Sequence, residues 1–394
     1  MHPLQKKMSA EMAGELIQIL SYWSTSAIDH KYGGFLGERD FYNMQVPEAP
    51  KGIILNSRIL WSFSAASNHL QTNEYKALCD RSFQYLQQYF RDEKYGGVYW
   101  ELDYQGRPVN LRKQVYAQAF MIYALSEYYI FSKNPLALQW ALEIYGLIEK
   151  YANDRKFGGY TEAFARDWSN IDDMRLSEKD ANEAKTMNTH LHVLEAYTNL
   201  YRVHREKALE SQLRFLIEKF LNTFYDNKTK HFNLFFNEQW QVKGKIISYG
   251  HDIEAAWLLI EAAKVIQDKN LIILNGEAAL QIADTFMNEA LGKDGGVCNE
   301  FNPETGILDT DKHWWPQVEA IIGLVYAWQL SKEEKYLACA NSIWDFTKNS
   351  LIDKINGEWH WRVNSKGEPN TTDYKMGMWK APYHNSRACI QMNR

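Results

Sequence analysis

The chain has 394 residues, 45% hydrophobic and 24% charged, the make-up of an ordinary globular protein rather than a disordered or fibrous one. Its net charge of −5 gives no reason to expect nucleic acid or an anionic membrane as a partner. The four cysteines (Cys79, Cys298, Cys339, Cys389) form no C-x-x-C pair, which argues against zinc and a disulfide framework, and no apolar run approaches the ~18 residues of a membrane span.

In chain order, Met1-His2-Pro3-Leu4-Gln5-Lys6-Lys7 leads into a mixed helical stretch rather than the apolar core of a signal peptide, so a cytoplasmic protein is expected. Six units then follow, each predicted as helix, glycine turn, short hairpin, helix. The first has helices over 11–23 and 57–69 around Tyr32-Gly33-Gly34-Phe35. The second has 81–90 and 114–131 around Tyr95-Gly96-Gly97-Val98, with a strand over 98–102. The third has 136–151 and 187–203 around Phe157-Gly158-Gly159-Tyr160. The fourth, 208–224 and 251–266, carries a copy without glycine between Tyr225-Asp226 and Phe232-Asn233. The fifth has 275–290 and 315–330 around Asp294-Gly295-Gly296-Val297. The sixth has 334–350 and 384–392 around Asn356-Gly357-Glu358-Trp359, with a strand over 359–363.

The first glycines are 63, 62, 137 and 62 residues apart, and the long interval is close to two periods. A fixed internal period marks a repeat architecture. Twelve helices in six hairpins, with the second helix of each pair the more continuously apolar, predict an all-α fold. The expected form is an (α/α)6 barrel, a single catalytic domain over 1–394 with short β-hairpins in the loops at one end.

Polar residues that interrupt apolar helices keep the same period. They are Arg58, Tyr116, Asn188 with His190 and His192, His251 with Glu254, Trp314 and Trp315 with Glu319, and His384 after Trp379. From Arg58 through Tyr116, Asn188, His251 and Trp314 to His384 the separations are 58, 72, 63, 63 and 70. Equivalent ends of six units meet in one place, so these residues predict one polar pocket. Of His190, His192, His251 and His384, at least two should face it. His190 and His192, two residues apart on a helix, point ~200° apart and cannot chelate together, so no metal is expected. Glu254 lies three residues after His251, on the same helical face, and is expected to hold its imidazole tautomer. A buried Arg58 needs an internal carboxylate or a substrate oxygen as partner.

The aromatic content, 14% with 14 Trp, supplies core filling and also flat faces on which sugar rings stack. Two imidazoles beside an oxygen-stabilising arginine suit proton removal next to a carbonyl. The competing chemistry is inverting glycoside hydrolysis with Glu254 and Glu319 as the two carboxylates. A non-catalytic sugar-binding module has little use for paired histidines.

At these residues the chain resembles the N-acylglucosamine 2-epimerase superfamily, and within it the cellobiose 2-epimerases, over nearly its whole length. The resemblance rests on four strings: 51–61, 187–197, 248–255 and the tail from Trp379 to His384. It implies an (α/α)6 barrel that epimerises C2 of an aldose without metal or redox cofactor. On it, His251 and His384 correspond to the two acid/base histidines. Arg58, Tyr116, Asn188, His192, Glu254, Trp315, Glu319 and Trp379 correspond to substrate-binding positions. The implied partner is a small carbohydrate, either a cellobiose-type β-1,4 disaccharide or free mannose and glucose, turned over by a monomer or small oligomer. The N-acylglucosamine epimerase reaction and aldose–ketose isomerisation are the neighbouring activities on the same scaffold.

Overall fold

The structure is a computed structural model that describes residues 2–393. Among these, twelve α-helices run in chain order. They are α1 (Pro3–Ser26), α2 (Ile53–Leu70), α3 (Lys76–Tyr85), α4 (Val115–Ser132), α5 (Pro135–Leu147), α6 (Met187–Val203), α7 (Lys207–Lys219), α8 (Tyr249–Val265), α9 (Lys269–Glu289), α10 (Trp314–Ser331), α11 (Glu334–Phe346) and α12 (Tyr383–Met392). Every predicted helix is present, and the largest error is at the start of α1. That helix begins at Pro3, where proline sits harmlessly in the first turn and the His2 side chain caps it.

The even-numbered helices pack each on the next, α2 on α4, α4 on α6, α6 on α8, α8 on α10 and α10 on α12, and α12 returns to α2. Each odd-numbered helix from α3 to α11 packs outside the even helix before it, and α1 packs on α12 and α11. Burial follows this order. In α4 every residue from Val115 to Tyr128 is buried, whereas α7 buries only Leu209, Leu213, Leu216 and Ile217. One contiguous apolar core runs through all twelve helices.

The loops at the N-terminal ends of the even helices are stitched to one another. The two residues before an even helix pair antiparallel with the next unit's loop: Lys51–Gly52 with Glu101–Leu102, Lys113–Gln114 with Ala163–Phe164, Lys185–Thr186 with Phe235–Phe236, and Lys312–His313 with Arg362–Val363. A bridge between Arg39 and Met376 joins the last unit to the first. The first helical N–H, an orphan in an isolated helix, is used in the same way: Ile53 donates to Trp100, Val115 to Glu162, Met187 to Leu234 and Trp314 to Trp361. The strands expected over 98–102 and 359–363 therefore shorten to Glu101–Leu102 and Arg362–Val363.

Under these ladders lies a layer of buried ion pairs. Lys51 Nζ is 2.7 Å from Asp29, Lys113 2.9 Å from Asp92, Lys185 2.6 Å from Asp154 and Lys375 2.5 Å from Asp353. Three of these lysines also donate to a turn carbonyl, of Gly33, Gly158 or Gly357. Lys312 stands 3.8 Å from Asp294 and donates to Thr310. The fourth unit differs, with His231 between Asp252 (2.7 Å) and Glu289 (3.2 Å) in place of the lysine pair.

Candidate active site

One helical register separates structural from pocket-facing residues. The fourth residue of α4, α6, α8 and α10 (Gln118, His190, Asp252, Gln317) points back into the preceding turn. There each accepts a backbone N–H, from Val98 (2.9 Å), Tyr160 (2.8 Å), Phe232 (2.8 Å) and Val297 (2.7 Å). Two of the doublet glycines make room for this approach. A Cβ on Gly97 would lie 2.6 Å from Gln118 Oε1 and one on Gly159 2.8 Å from His190 Nε2, and both glycines have positive φ. His190 also bonds the Thr186 carbonyl at 2.6 Å, so both of its nitrogens are used and it is a structural residue.

The second and sixth residues lie one helical turn apart on the opposite side. Tyr116, Asn188, Trp315 and His384 are second residues, and Arg58, His192, Glu254 and Glu319 are sixth. In α8 the second residue is Gly250, where a Cβ would meet the Trp315 indole at 2.5 Å, and His251 takes the next position.

These side chains, Glu319 excepted, line a cavity of about 470 Å³ together with Trp314, Trp361, Trp379 and the segment Leu176–Asp180. The cavity continues past Asn188, His251 and Trp315 into a second of about 320 Å³. Arg112 ties the segment down through the carbonyls of Asp173 and Arg175, and Gln114 bonds the Arg175 carbonyl as well. Among the described residues Arg58 finds no carboxylate. It donates to the Trp379 carbonyl at 3.1 Å and to the Tyr116 hydroxyl at 2.9 Å, and lies over the rings of Phe120 and Tyr383. Its Nε and the Asn188 Oδ1 are buried without a partner, one donor and one acceptor.

The two predicted acid/base histidines are held differently. His384 Nδ1 lies 2.8 Å from Glu319 Oε1, and His251 Nδ1 lies 2.8 Å from the Ser248 hydroxyl. Each therefore keeps its Nε2 edge for the cavity. The Trp315 ring stands 4.8 Å from the His251 ring and 5.6 Å from that of His384. Burial, with His192 nearby, pulls His251 down to about 3. Burial, then the charges of Arg58 and Arg387, pull His384 well below the ordinary imidazole value. Both are therefore neutral near pH 7 and able to accept a proton.

Behind them Arg387, 1% exposed, bonds Glu195, Glu254, Glu319 and the Tyr383 hydroxyl. Glu195 in turn accepts from Tyr383 at 2.6 Å and meets His192 Nδ1 at 2.9 Å. Burial raises the Glu195 carboxyl, but Arg387 and His192 outweigh it and hold it at about 2. Burial and the charge of Glu319 push Glu254 up to about 7 against the pull of Arg387.

Three expectations are corrected. Glu254 does not set the His251 tautomer; its carboxylate turns to Arg387, and Ser248 stands at the imidazole. Glu319 does not line the cavity; it sits behind His384, bonded to Arg387 at 2.7 Å and to Trp257 Nε1 at 3.1 Å. The two carboxylates do not flank a substrate as in inverting hydrolysis. Ligand atoms of Glu254, Glu319 and His384 lie within 4.8 Å of one another, whereas an inverting pair stands about 6.5–9.5 Å apart. That spacing also suits a metal, but the guanidinium of Arg387 already bridges the two carboxylates.

Arg387, Glu195, Tyr383, Ser248 and the 174–181 segment were not singled out from sequence. Glu195 and Ser248 lie inside the quoted strings, and the even spacing of Lys51, Lys113, Lys185 and Lys312 before their helices carries the period of the buried ion pairs.

Comparison with known proteins sets this geometry in a family. The family model for N-acylglucosamine 2-epimerase (GlcNAc 2-epimerase) matches residues 34–388. The cellobiose 2-epimerase of Bacteroides fragilis is 45% identical over 98% of both chains. A crystal structure of a sugar epimerase from a ruminal bacterium superposes with a TM-score of 0.93 at 36% identity, covering 98% of both chains. A D-mannose isomerase structure shares the fold at a TM-score of 0.84 and 21% identity, covering 100% of this chain and 99% of that one.

Proposed function

The chain belongs to the N-acylglucosamine 2-epimerase family, and from that premise we propose that it interconverts the glucose and mannose configurations at C2 of an aldose. The substrate is the reducing-end residue of a cellobiose-type β-1,4 disaccharide, with free mannose and glucose as the smaller alternatives. The closed run of even helices, wrapped by the odd ones, is read as an (α/α)6 barrel forming one catalytic domain over 1–394.

The observation that carries the reading is the pairing of two imidazoles, the half-buried His251 and the buried His384, on one cavity with an arginine whose Nε lacks a partner among the described residues. After ring opening, Arg58 receives the C1 oxygen. One histidine, neutral, takes the C2 proton, and the enediolate is stabilised by Arg58. Rotation about C2–C3 turns the other face to the second histidine, which delivers a proton as its imidazolium.

The charges around the site support this exchange. Arg58 and Arg387 balance Glu195 and Glu319, and Glu254 carries one further proton near neutrality. Passing that proton to an imidazole leaves the cluster electrically neutral, so one imidazolium forms without burying net charge. Trp315 and Trp379 offer indole faces to the sugar, and Tyr116, Asn188 and His192 its hydroxyl partners.

The test is incubation with cellobiose, mannose and N-acetylglucosamine separately, with products followed by NMR. Cellobiose should give 4-O-β-glucosylmannose, and prolonged EDTA treatment should leave the rate unchanged. Absence of any C2 epimer from all three sugars overturns the proposal.

A further inference from the structure

Ser248 occupies the position just before α8, the N-cap, and is 1% exposed. An N-cap hydroxyl normally accepts an N–H of the first helical turn, a bond worth about 1 kcal/mol. Thr186, at the same position before α6, makes that bond with the Thr189 N–H. Ser248 does not; its hydroxyl turns to the ring of His251 at 2.8 Å. The corresponding residues before the other even helices, Gly52, Gln114, His313 and Pro382, carry no hydroxyl. Ser248 is thus the one N-cap of the ring, among the described residues, that gives up its helix bond to hold an imidazole.

A hydroxyl and a carboxylate do different things to a histidine. An ionised carboxylate only accepts, so Glu319 fixes the proton of a neutral His384 on Nδ1. A hydroxyl both donates and accepts. It donates to Nδ1 when His251 carries its proton on Nε2, and accepts from Nδ1–H in the other neutral tautomer and in the imidazolium. Among the described residues no carboxylate bonds His251. Its other neighbours are the Trp315 indole and, at longer range, His192 and His384, and the N-terminal dipole of α8 disfavours a positive charge there.

We propose that Ser248 is a positioning residue for His251, a two-way hydrogen-bond partner that holds the ring toward the cavity in every protonation state without making it a stronger base. The inference rests on His251 being one of the two proton carriers. It makes the pair unequal by construction, with His384 held by a carboxylate and His251 by a hydroxyl.

The experiment compares the full-length protein with Ser248→Ala, Ser248→Thr and Ser248→Asp. Histidine-ring 15N NMR, with His251 assigned from the His251→Gln spectrum, reads its tautomer and titration without turnover, and kcat and KM for cellobiose are measured across pH 5–9. Ser248→Ala should lower kcat roughly 10–100-fold, the range known for partners that orient metal-bound imidazoles, with KM within about twofold. Ser248→Thr should restore the rate. Ser248→Asp keeps a good N-cap and adds a carboxylate, so the His251 titration and the acidic limb of kcat should move up by about one pH unit or more. His384 signals should stay in place throughout. If the His251 resonances titrate alike in all four proteins, the proposal fails, whatever the rates. If they shift as expected while the parent epimerises no sugar, the functional reading fails and the Ser248–His251 coupling stands.

Discussion

The same end of the molecule holds two layers of buried polar residues that differ in how completely they are satisfied. In the turn layer the buried lysines and the inward-turned Gln118, His190 and Gln317 each have a partner: lysine on aspartate or a loop carbonyl, glutamine or histidine on a backbone N–H. In the pocket layer, two residues away along the same helices, the Arg58 Nε and the Asn188 Oδ1 are buried without one. His190 and His251 make the contrast within one residue type. Both are imidazoles near a helix start, His190 buried and His251 half-buried, but His190 spends both nitrogens on backbone and His251 spends one on Ser248. The satisfied groups hold the fold, and the two open pocket atoms stand where a substrate's polar groups can meet them.

The contrast breaks most sharply in the pocket. His251→Gln and His384→Gln should each reduce kcat by about 10²–10⁴-fold, the range for a general acid or base, with little change in melting temperature. A folded His384→Gln protein with near-parental activity would move His384 out of the pocket chemistry. In the turn layer the effect is on stability instead. Lys51→Met strands Asp29 and should cost about 3–5 kcal/mol on denaturant unfolding, while KM of the folded enzyme is unchanged.

The third comparison uses one substitution in both layers. His190→Gln places at α6 the residue that already serves at Gln118 and Gln317, so activity and stability at pH 8 should stay near parental. The pH dependence should change, with a definite sign. Burial lowers His190 to about 3, below its unfolded value. Its contribution is then complete above pH ~6.5 and is lost as pH falls toward 3. His190→Gln should therefore lose less stability than the parent between pH 6.5 and 5, and equal acid sensitivity would contradict the assignment. The smallest effect is expected at Trp315, a half-buried ring between the two imidazoles. Trp315→Ala should raise KM by roughly two- to tenfold, as stacking of about 0.5–1.5 kcal/mol implies. A large fall in Tm with KM unchanged would make the ring core filling.

Most of the pocket was legible because polar residues in apolar helices stand out, and their period maps equivalent ends onto one place. The resemblance assigns Glu319 to substrate binding, and nothing in sequence shows that His384 fills the space in front of it. Arg387 does not stand out because α12, only 10 residues long, mixes polar and apolar residues throughout. The buried lysines do not stand out in sequence because lysine is so seldom buried. The 174–181 segment has no periodicity to read, and its place over the cavity depends on Arg112 and Gln114, far away in sequence.

Running the reaction in D2O tests the proton-transfer account most directly. Removal at one histidine and return from the other, whose proton has equilibrated with solvent, predicts deuterium at C2 of the newly formed epimer. Formation of the epimer with its original hydrogen retained at C2 would contradict it.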